Sequence, residues 1–312
     1  MRRVSLAMTG AALALAFSLS GCGPKADAPG PAPAEQSAES RAAQLEAQKA
    51  AYAAALAEAE ASRGAGTPAL WTLSDEDTML YMLGTVHLLR PDLDWRSDAI
   101  NAAFAEADTV VFEADVTSQA AASEMMRFIS TEGMLEGGQQ LTSLLDEVER
   151  GELQKALDHV GMPLGAVQPM QPWWAAVNLS VLQIQKEGYD PNSGVEMVLG
   201  AEARAEGKSL AYLETIEEQL GRFAALPMDV QVDFLIGDVH GIGLLMANPD
   251  MMGSDEVYDA LLKSRNEIWV GKIEAMLDTP GTRLIAVGAG HLAGEDSVID
   301  MLEARGHTVE GP

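Results

Sequence analysis

Two apolar runs in the chain lead into the same local pattern. Residues 79–83 and 284–287 are continuous apolar segments of the length expected for buried strands. Each run gives way to a glycine, two further residues, a histidine and a leucine, and then to a polar loop, a helical pattern and a short apolar segment. In the second case the helix is predicted to begin near residues 295–296. The sequence therefore predicts a weak internal repeat of strand, Gly-x-x-His turn, helix and strand.

The remaining pattern predicts the elements around this repeat. Further strand segments, the first two forming a hairpin around an acidic turn, lie at residues 69–73, 78–83, 109–112 and 209–213. Mostly helical patterns lie at residues 118–220, 229–246 and 254–277. Short strands that alternate with longer helices predict an α/β fold, α+β by helix content, with a central mixed sheet flanked by many helices.

The start of the chain has the features of an export signal. Residues 1–21 combine a positively charged beginning with an apolar stretch that is short for a membrane span. Leu19-Ser-Gly then precedes Cys22, as in the lipobox of bacterial lipoproteins. We expect a signal peptide and a lipid anchor on Cys22, with Gly23 favouring the outer membrane facing the periplasm. An ordinary signal peptide that happens to end in cysteine is the alternative.

Composition divides the rest of the chain into three parts. Residues 22–34 are rich in Pro, Gly and Ala and are predicted to be a flexible tether. Residues 35–64 are rich in Ala and Glu and are predicted to form a helical stalk. Residues 68–312 carry the strand and helix patterns and are predicted to be the folded domain.

Charge and motif content exclude several classes of function. The chain has 47 Asp and Glu against 20 Lys and Arg, a net charge of −27, which argues against nucleic acid as a partner. The single cysteine, Cys22, leaves no internal disulfide and no second thiol as a nucleophile. The sequence contains no Gly-x-Ser-x-Gly elbow, no phosphate-binding Walker loop and no dinucleotide fingerprint.

The two turn histidines, His87 and His291, are the strongest candidates for chemistry. If their strands are neighbours in one sheet, both imidazoles lie at its carboxyl edge, together with Glu113 at the end of a third strand. Two imidazoles and a carboxylate suit a borderline divalent cation such as Mn²⁺, Co²⁺ or Zn²⁺. Candidates for proton transfer or charge stabilisation are Glu113, Glu196, Glu214 and Arg265. The spacing alone also allows coincidence, with the other carboxylates supporting helix starts and Arg265 serving as an ion-pair partner.

Eight short segments of the chain fall in a characteristic order. They are Gly84-Thr-Val-His87, Phe112-Glu113, Gly194-Val-Glu196, Gly207-Lys208, Leu213-Glu214-Thr215, Gln219, Arg265-Asn266 and Val287-Gly-Ala-Gly-His291-Leu-Ala-Gly-Glu295. In this order the segments resemble the TraB/GumN family, which is related to the Tiki metalloproteases. The likeness spans residues 68–309 and implies a fold like that of the erythromycin-esterase and haem-binding ChaN-like group. In the Tiki branch it implies divalent-metal hydrolase chemistry that depends on His87, His291 and Glu113.

Two positions depart from the family pattern. The second turn reads Gly-Ala-Gly-His291 where Gly-Ala-Ala-His or Gly-Ser-Ala-His is expected, a change between small residues. Glu196 stands where bacterial relatives often carry aspartate, so its carboxylate reaches one methylene further. The charge is kept but moved, which bears on any role of Glu196 in positioning a metal or substrate.

Two hypotheses follow. The first is a lipid-anchored, metal-dependent hydrolase of the cell envelope, peptidase-like, with a peptide or protein as substrate. The second is a non-catalytic envelope module on the same fold that binds haem, a metal or another protein. Both use His87 and His291, but only the first needs an acid that transfers protons.

Overall fold

The structure is a computed structural model that describes residues 43, 50, 68–238 and 255–312. The predicted signal peptide (1–21), the tether (22–34) with Cys22, and all of the stalk (35–64) except Ala43 and Ala50 lie outside the described residues. Both of these alanines are helical and exposed. Within the described ranges, no helix combines the length and apolar character that a bilayer crossing requires.

One mixed six-stranded sheet forms the centre of the domain. The strands are β1 (Leu70–Ser74), β2 (Thr78–Thr85), β3 (Thr109–Phe112), β4 (Ser209–Tyr212), β5 (Gly281–Gly288) and β6 (Val309–Glu310). Their order across the sheet is β4-β3-β5-β2-β1-β6. The pairs β2–β5, β5–β3 and β3–β4 are parallel, whereas β1 pairs antiparallel with both β2 and β6. The predicted α/β fold with a central mixed sheet is confirmed.

Helices surround this sheet. They are α1 (Asp98–Glu106), α2 (Gln119–Glu132), α3 (Glu147–Val160), α4 (Leu164–Val167), α5 (Pro172–Lys186), α6 (Val195–Glu206), α7 (Ile216–Ala224), α8 (Met228–Asp238), α9 (Asp255–Tyr258), α10 (Ser264–Leu277) and α11 (Val298–Ala304). A π-helical turn, Asp259–Lys263, joins α9 directly to α10. Shorter 3₁₀ turns lie at Leu141–Ser143, Pro191–Ser193 and Ala289–His291.

The central strands are covered on both faces, which explains their continuous apolar sequence. On one face, Leu83 and Leu284 pack with residues of α1 and α6. On the other, Met82 and Ile285 pack with residues of α10 and α11, including Trp269. A separate apolar cluster joins α3, α5 and α8 away from the sheet. The central strands are therefore held firmly, and their ends are fixed positions for a site.

The two copies of the predicted repeat differ after their histidines. In the first copy, α1 leads into β3, which lies beside β5 and parallel to it. In the second, α11 leads into β6, which pairs antiparallel with β1 at the far edge of the sheet. Helix α11 also begins later than the predicted 295–296. Asp296 is in the left-handed region at φ 58°, and the Ser297 side chain accepts the backbone N–H of Asp300 as the helix cap.

Candidate active site at the carboxyl edge of the sheet

Four parallel strands end at the same edge and deliver four polar side chains. Thr85 of β2 pairs with Gly288 of β5, so these two strands end side by side as predicted. On the other side of β5 come β3 and then β4. The residues that follow the four strands, in the order β2, β5, β3 and β4, are His87, His291, Glu113 and Glu214.

The turn histidines and Glu113 converge beside Gly288. A Cβ atom placed on Gly288 would lie 3.1 Å from Glu113 Oε1, 3.6 Å from His291 Cδ2 and 3.9 Å from His87 Nε2. His291 Nε2 is 3.9 Å from Glu113 Oε1. Both imidazoles and the carboxylate therefore surround one small space, which the missing side chain of Gly288 leaves open.

Glu113 is buried and fully hydrogen-bonded. Its Oε1 accepts the backbone N–H of Gly288 at 2.7 Å, and its Oε2 accepts from Arg265 Nη2 at 2.6 Å and from Gln219 Nε2 at 3.0 Å. Burial by itself would raise the pKa of this carboxyl group. The positive charge of Arg265, with help from the Gly288 N–H, outweighs burial and holds the pKa well below its usual range. Glu113 is therefore ionised, and its hydrogen bonds hold the carboxylate in one orientation.

Arg265 lies between two buried carboxylates. Its Nη2 donates to Glu113 and, at 2.6 Å, to Glu214, and its Nε donates to Glu214 Oε2 at 3.2 Å. The guanidinium also stacks 4.6 Å over the ring of Trp269. Burial raises the pKa of Glu214 despite the Arg265 charge, whereas Arg265 itself is held as a cation by its two carboxylates. If the pair takes up a proton, Glu214 is the residue that receives it.

His291 is held in one tautomer. Its Nδ1 is 2.6 Å from Asn266 Oδ1, and its Nε2 is 3.0 Å from Arg265 Nη1. Because arginine only donates, Nε2 accepts and Nδ1 carries the proton. Asn266 is fixed in turn, since its Nδ2 donates to the backbone carbonyl of Asp296 at 2.8 Å. This arrangement turns the lone pair of Nε2 away from Asn266 and towards Arg265 and Glu113.

His87 lies at the exposed side of the site and pairs with Glu196. Its Nδ1 is 3.0 Å from Glu196 Oε1, which also accepts the Thr85 hydroxyl, so its Nε2 is the nitrogen near Gly288. The side chain of His87 is 58% exposed, against 9% for Glu196. Loss of hydration where the ring packs against the protein lowers the pKa of His87, but the Glu196 carboxylate outweighs this effect and raises the pKa to about 9. Glu196 Oε2 is buried and has no hydrogen-bond partner among the described residues.

Gly194 brings Glu196 to His87. It is the cap residue of α6, and a Cβ on it would lie only 2.0 Å from the carbonyl oxygen of His87. The backbone N–H of Val195 donates to the carbonyl of Val86 at 3.2 Å. The start of α6 therefore packs directly on the backbone of the first histidine turn, and only glycine allows this approach.

The depressed pKa of His291 gives a prediction for acid stability. Burial, together with the charge of Arg265, lowers the pKa of His291 from 6.5 to about 3. The unfolded chain therefore binds one more proton than the folded protein between these values, and the stabilising contribution of neutral His291 is lost as the pH falls through this window. We expect the free energy of unfolding of His291→Gln to fall less steeply than that of the wild type between about pH 6 and pH 4, by up to about 1.4 kcal/mol per pH unit. Denaturant titrations at a series of pH values measure this difference, and parallel curves would contradict it.

The structure brings all six predicted site residues to this edge, and it adds residues that the sequence did not assign. Asn266 orients His291, Gln219 and Gly288 orient Glu113, Thr85 binds Glu196, and Trp269 lies against His291 with ring centroids 4.3 Å apart. Asn266 and Gln219 belong to the segments that carry the family resemblance, and this is the sequence signal that could have identified them. Of the other described histidines, His159 is in α3 and His307 pairs with Glu274. His240 lies outside the described residues.

The donor types fit a divalent cation, but their present geometry is not that of a finished metal centre. Nε2 of His87, the Cδ2 edge of the His291 ring and Oε1 of Glu113 face the space beside Gly288, and imidazole and carboxylate are both ligands of divalent cations. Within residues 68–238 and 255–312, however, no group of three or more His, Cys, Asp or Glu side chains has the spacing that would hold an ion as it stands. Arg265 contacts two of the three candidate ligands, Glu113 and His291.

The fold and site define an α/β protein with a histidine and carboxylate cluster at the carboxyl edge of its parallel strands. The chain belongs to the TraB/PrgY/gumN family, whose profile matches residues 69–311. The predicted family resemblance is thereby confirmed. The uncharacterized protein YbaP of Escherichia coli (strain K12) is 25% identical over 242 residues, covering 71% of this chain and 87% of YbaP, and YbaP of Shigella flexneri matches equally. No solved structure matches the chain significantly.

Proposed function

We propose that the protein is a metal-dependent hydrolase that cleaves peptide bonds, with His87, His291 and Glu113 as the ligands of a divalent cation. Mn²⁺, Co²⁺ and Zn²⁺ are the candidate ions, because each accepts a mixture of imidazole and carboxylate ligands. The observation that carries the proposal is the convergence of the three side chains around the open space at Gly288.

The three ligands are prepared for this role by their neighbours. Asn266 holds the proton of His291 on Nδ1, which leaves a lone pair on Nε2. Glu196 binds Nδ1 of His87, so the ion would displace the proton from Nε2 of that ring, whose pKa is raised to about 9. The Gly288 N–H fixes Oε1 of Glu113. A bound ion would polarise the substrate carbonyl and lower the pKa of a water molecule in the site.

Glu196 is the best-placed residue for proton transfer. It adjoins His87 at the exposed side of the site, and its Oε2 has no partner among the described residues. Because Glu196 binds the Nδ1 side of His87 and the ion would lie on the Nε2 side, this oxygen would exchange protons with the attacking water and the leaving amine through a further water molecule. Glu214, whose pKa is raised, is the second candidate, although both of its carboxylate oxygens accept bonds from Arg265.

The proposed site of action is the cell envelope. The lipobox-like Leu19-Ser-Gly before Cys22 supports a lipid anchor, and the tether and stalk of residues 22–64 would hold the domain away from the membrane. The proposed location is the outer membrane facing the periplasm, where the substrate would be a peptide or a protein.

Calorimetric titration with Mn²⁺, Co²⁺ and Zn²⁺ tests the proposal. We expect the wild type to bind at least one ion with a stoichiometry of one, and the double variant His87→Ala/His291→Ala to lose that binding. Gly288→Ala keeps all three ligands but places a methyl group in the space between them, 3.1 Å from Glu113 Oε1, and should weaken binding by at least about tenfold. His307→Ala, which removes a histidine paired with Glu274, is the matched control and should bind like the wild type.

Turnover of a peptide library by the metal-loaded protein completes the test. Cleavage that depends on the ion and on Glu196 supports the hydrolase. Identical titrations for the wild type and the double histidine variant would overturn the metal site. A visible absorption band on addition of haem, with no peptide turnover, would instead support the non-catalytic binding module.

A further inference from the structure

We infer that Arg265 is an internal cation that competes with the divalent ion for this site. In this proposal, which rests on the proposed function, the guanidinium holds Glu113 and His291 together while the ion is absent. The ion binds when Nη1 of Arg265 leaves Nε2 of His291. Arg265 thereby sets how tightly the protein holds its metal.

The hydrogen bonds of Arg265 are the first support. A guanidinium has five N–H donors, and in this structure all five have acceptors. Beyond the bonds to Glu113 and Glu214, Nη1 donates to the backbone carbonyl of Leu261 at 2.9 Å and to His291 Nε2 at 3.0 Å. No donor is left for a substrate oxygen. Any role of Arg265 at a reacting carbonyl, and any ligation through His291 Nε2, therefore requires that one of these bonds be broken first.

The bond to His291 is the one that can be given up most easily. Arg265 would keep Leu261 on its own helix and Glu214 beside it, and these contacts retain the guanidinium near its present place. The nitrogen that Arg265 would release is Nε2 of His291. It carries no proton, because Asn266 holds the ring proton on Nδ1, so its lone pair is available to a metal ion. A small rotation of one side chain would thus convert the arginine-bound arrangement into a ligand set.

The charges are the second support. Two buried carboxylates, Glu113 and Glu214, share the single positive charge of Arg265. A divalent cation at the space beside Gly288 would use the same Glu113 carboxylate and would be repelled by the guanidinium at short range. Because both charges are screened little in a buried site, the repulsion lowers the affinity for the ion substantially.

The test is metal affinity in an Arg265→Met variant, measured by calorimetry and by the shift of Tm on adding Mn²⁺ or Zn²⁺. We expect the variant to be less stable than the wild type without metal, yet to bind the ion at least about tenfold more tightly, because the competitor is gone. The direction of the change in metal affinity distinguishes the two roles. If Arg265 only supported the structure of the site, its removal would weaken metal binding. Arg265→Lys keeps the charge but loses the fork of donors, so its affinity for the ion should lie between those of the wild type and Arg265→Met.

Two further variants keep the test decisive. Should Arg265→Met fail to fold, Arg265→Met/Glu214→Gln removes the stranded charge of Glu214 together with its partner and leaves Glu113 with Gly288 and Gln219. Arg305→Met, which breaks an ion pair with Glu274, is the matched control and should leave the affinity unchanged.

The outcomes separate the two proposals. Equal or weaker affinity in the Arg265 variants, with histidine-dependent binding in the wild type, overturns the competition and leaves the metal site standing. Tighter binding in the variants supports it. Binding seen only in the Arg265 variants supports the competition and overturns the native protein as a metal hydrolase. Absence of binding in every variant overturns both.

Discussion

Replacing Glu113 with alanine is expected to destabilise the protein by about 3 kcal/mol or more. The variant leaves the Gly288 N–H without its acceptor, takes away the acceptor of the Gln219 amide, and leaves Arg265 with one carboxylate instead of two. Arg265 is buried and the Gly288 and Gln219 groups are partly buried, so water replaces the lost partner incompletely. Denaturant-induced unfolding of the metal-free protein measures the loss.

Two control variants show whether the loss of stability comes from the buried carboxylate of Glu113. Glu113→Gln keeps an oxygen acceptor but removes the charge, and should cost less than Glu113→Ala. Glu202→Ala breaks the partly exposed ion pair between Glu202 and Arg96 and should change the free energy of unfolding by less than about 1 kcal/mol. A Glu113→Ala protein as stable as Glu202→Ala would mean that the buried carboxylate does not organise the site.

Gly194→Ala is the second substitution with a large expected effect. The added methyl group would lie 2.0 Å from the carbonyl oxygen of His87, and backbone on both sides must move to relieve the contact. We expect a loss of about 3 kcal/mol or more and, in the folded fraction, a displaced His87 that has lost its contact with Glu196. The unfolding free energy and the NMR titration of the His87 ring report the two effects.

Gly151→Ala provides the matched control for that substitution. Gly151 is inside α3, and a Cβ on it would have nothing within 4 Å. The same change should therefore stabilise the protein by about 0.5–1 kcal/mol, through the higher helix propensity of alanine. If both glycine variants changed stability in the same direction and by similar amounts, the close approach at Gly194 would not be what holds α6 against the histidine turn.

The sheet and the polar residues at the ends of three of its strands could be predicted because their signals are local. Continuous apolar runs are typical of parallel strands that are covered on both faces, and β2 and β5 are such strands. Once these two strands are neighbours, equal Gly-x-x-His turns place His87 and His291 at one edge. Glu113 follows from the same argument, because it comes directly after β3.

The family resemblance indicated Arg265 as a candidate, but its contacts, like the need for Gly194, depend on packing that the sequence pattern does not contain. Arg265 reaches Glu113 from a helix more than 150 positions later in the chain, and nothing in the period of that helix indicates which side faces the sheet. Gly194 has φ −58°, a value open to any residue, so turn chemistry gives no sign that glycine is required there. Glycine is required at this position because the carbonyl oxygen of His87, which is distant in sequence, lies next to it in space.

The π-helical turn Asp259–Lys263 sets the rotational phase of everything that follows it in α10. A π turn accommodates more residues than an α turn, and each residue of an α-helix advances the side chain direction by about 100°. Arg265, Asn266 and Trp269 therefore point at the sheet edge as a group, and a regular helix with the same sequence would turn all three elsewhere. One irregular turn therefore decides whether the positive charge of Arg265 reaches the carboxylates of the site. The turn is itself held by apolar packing, in which Leu261 and Leu262 are buried.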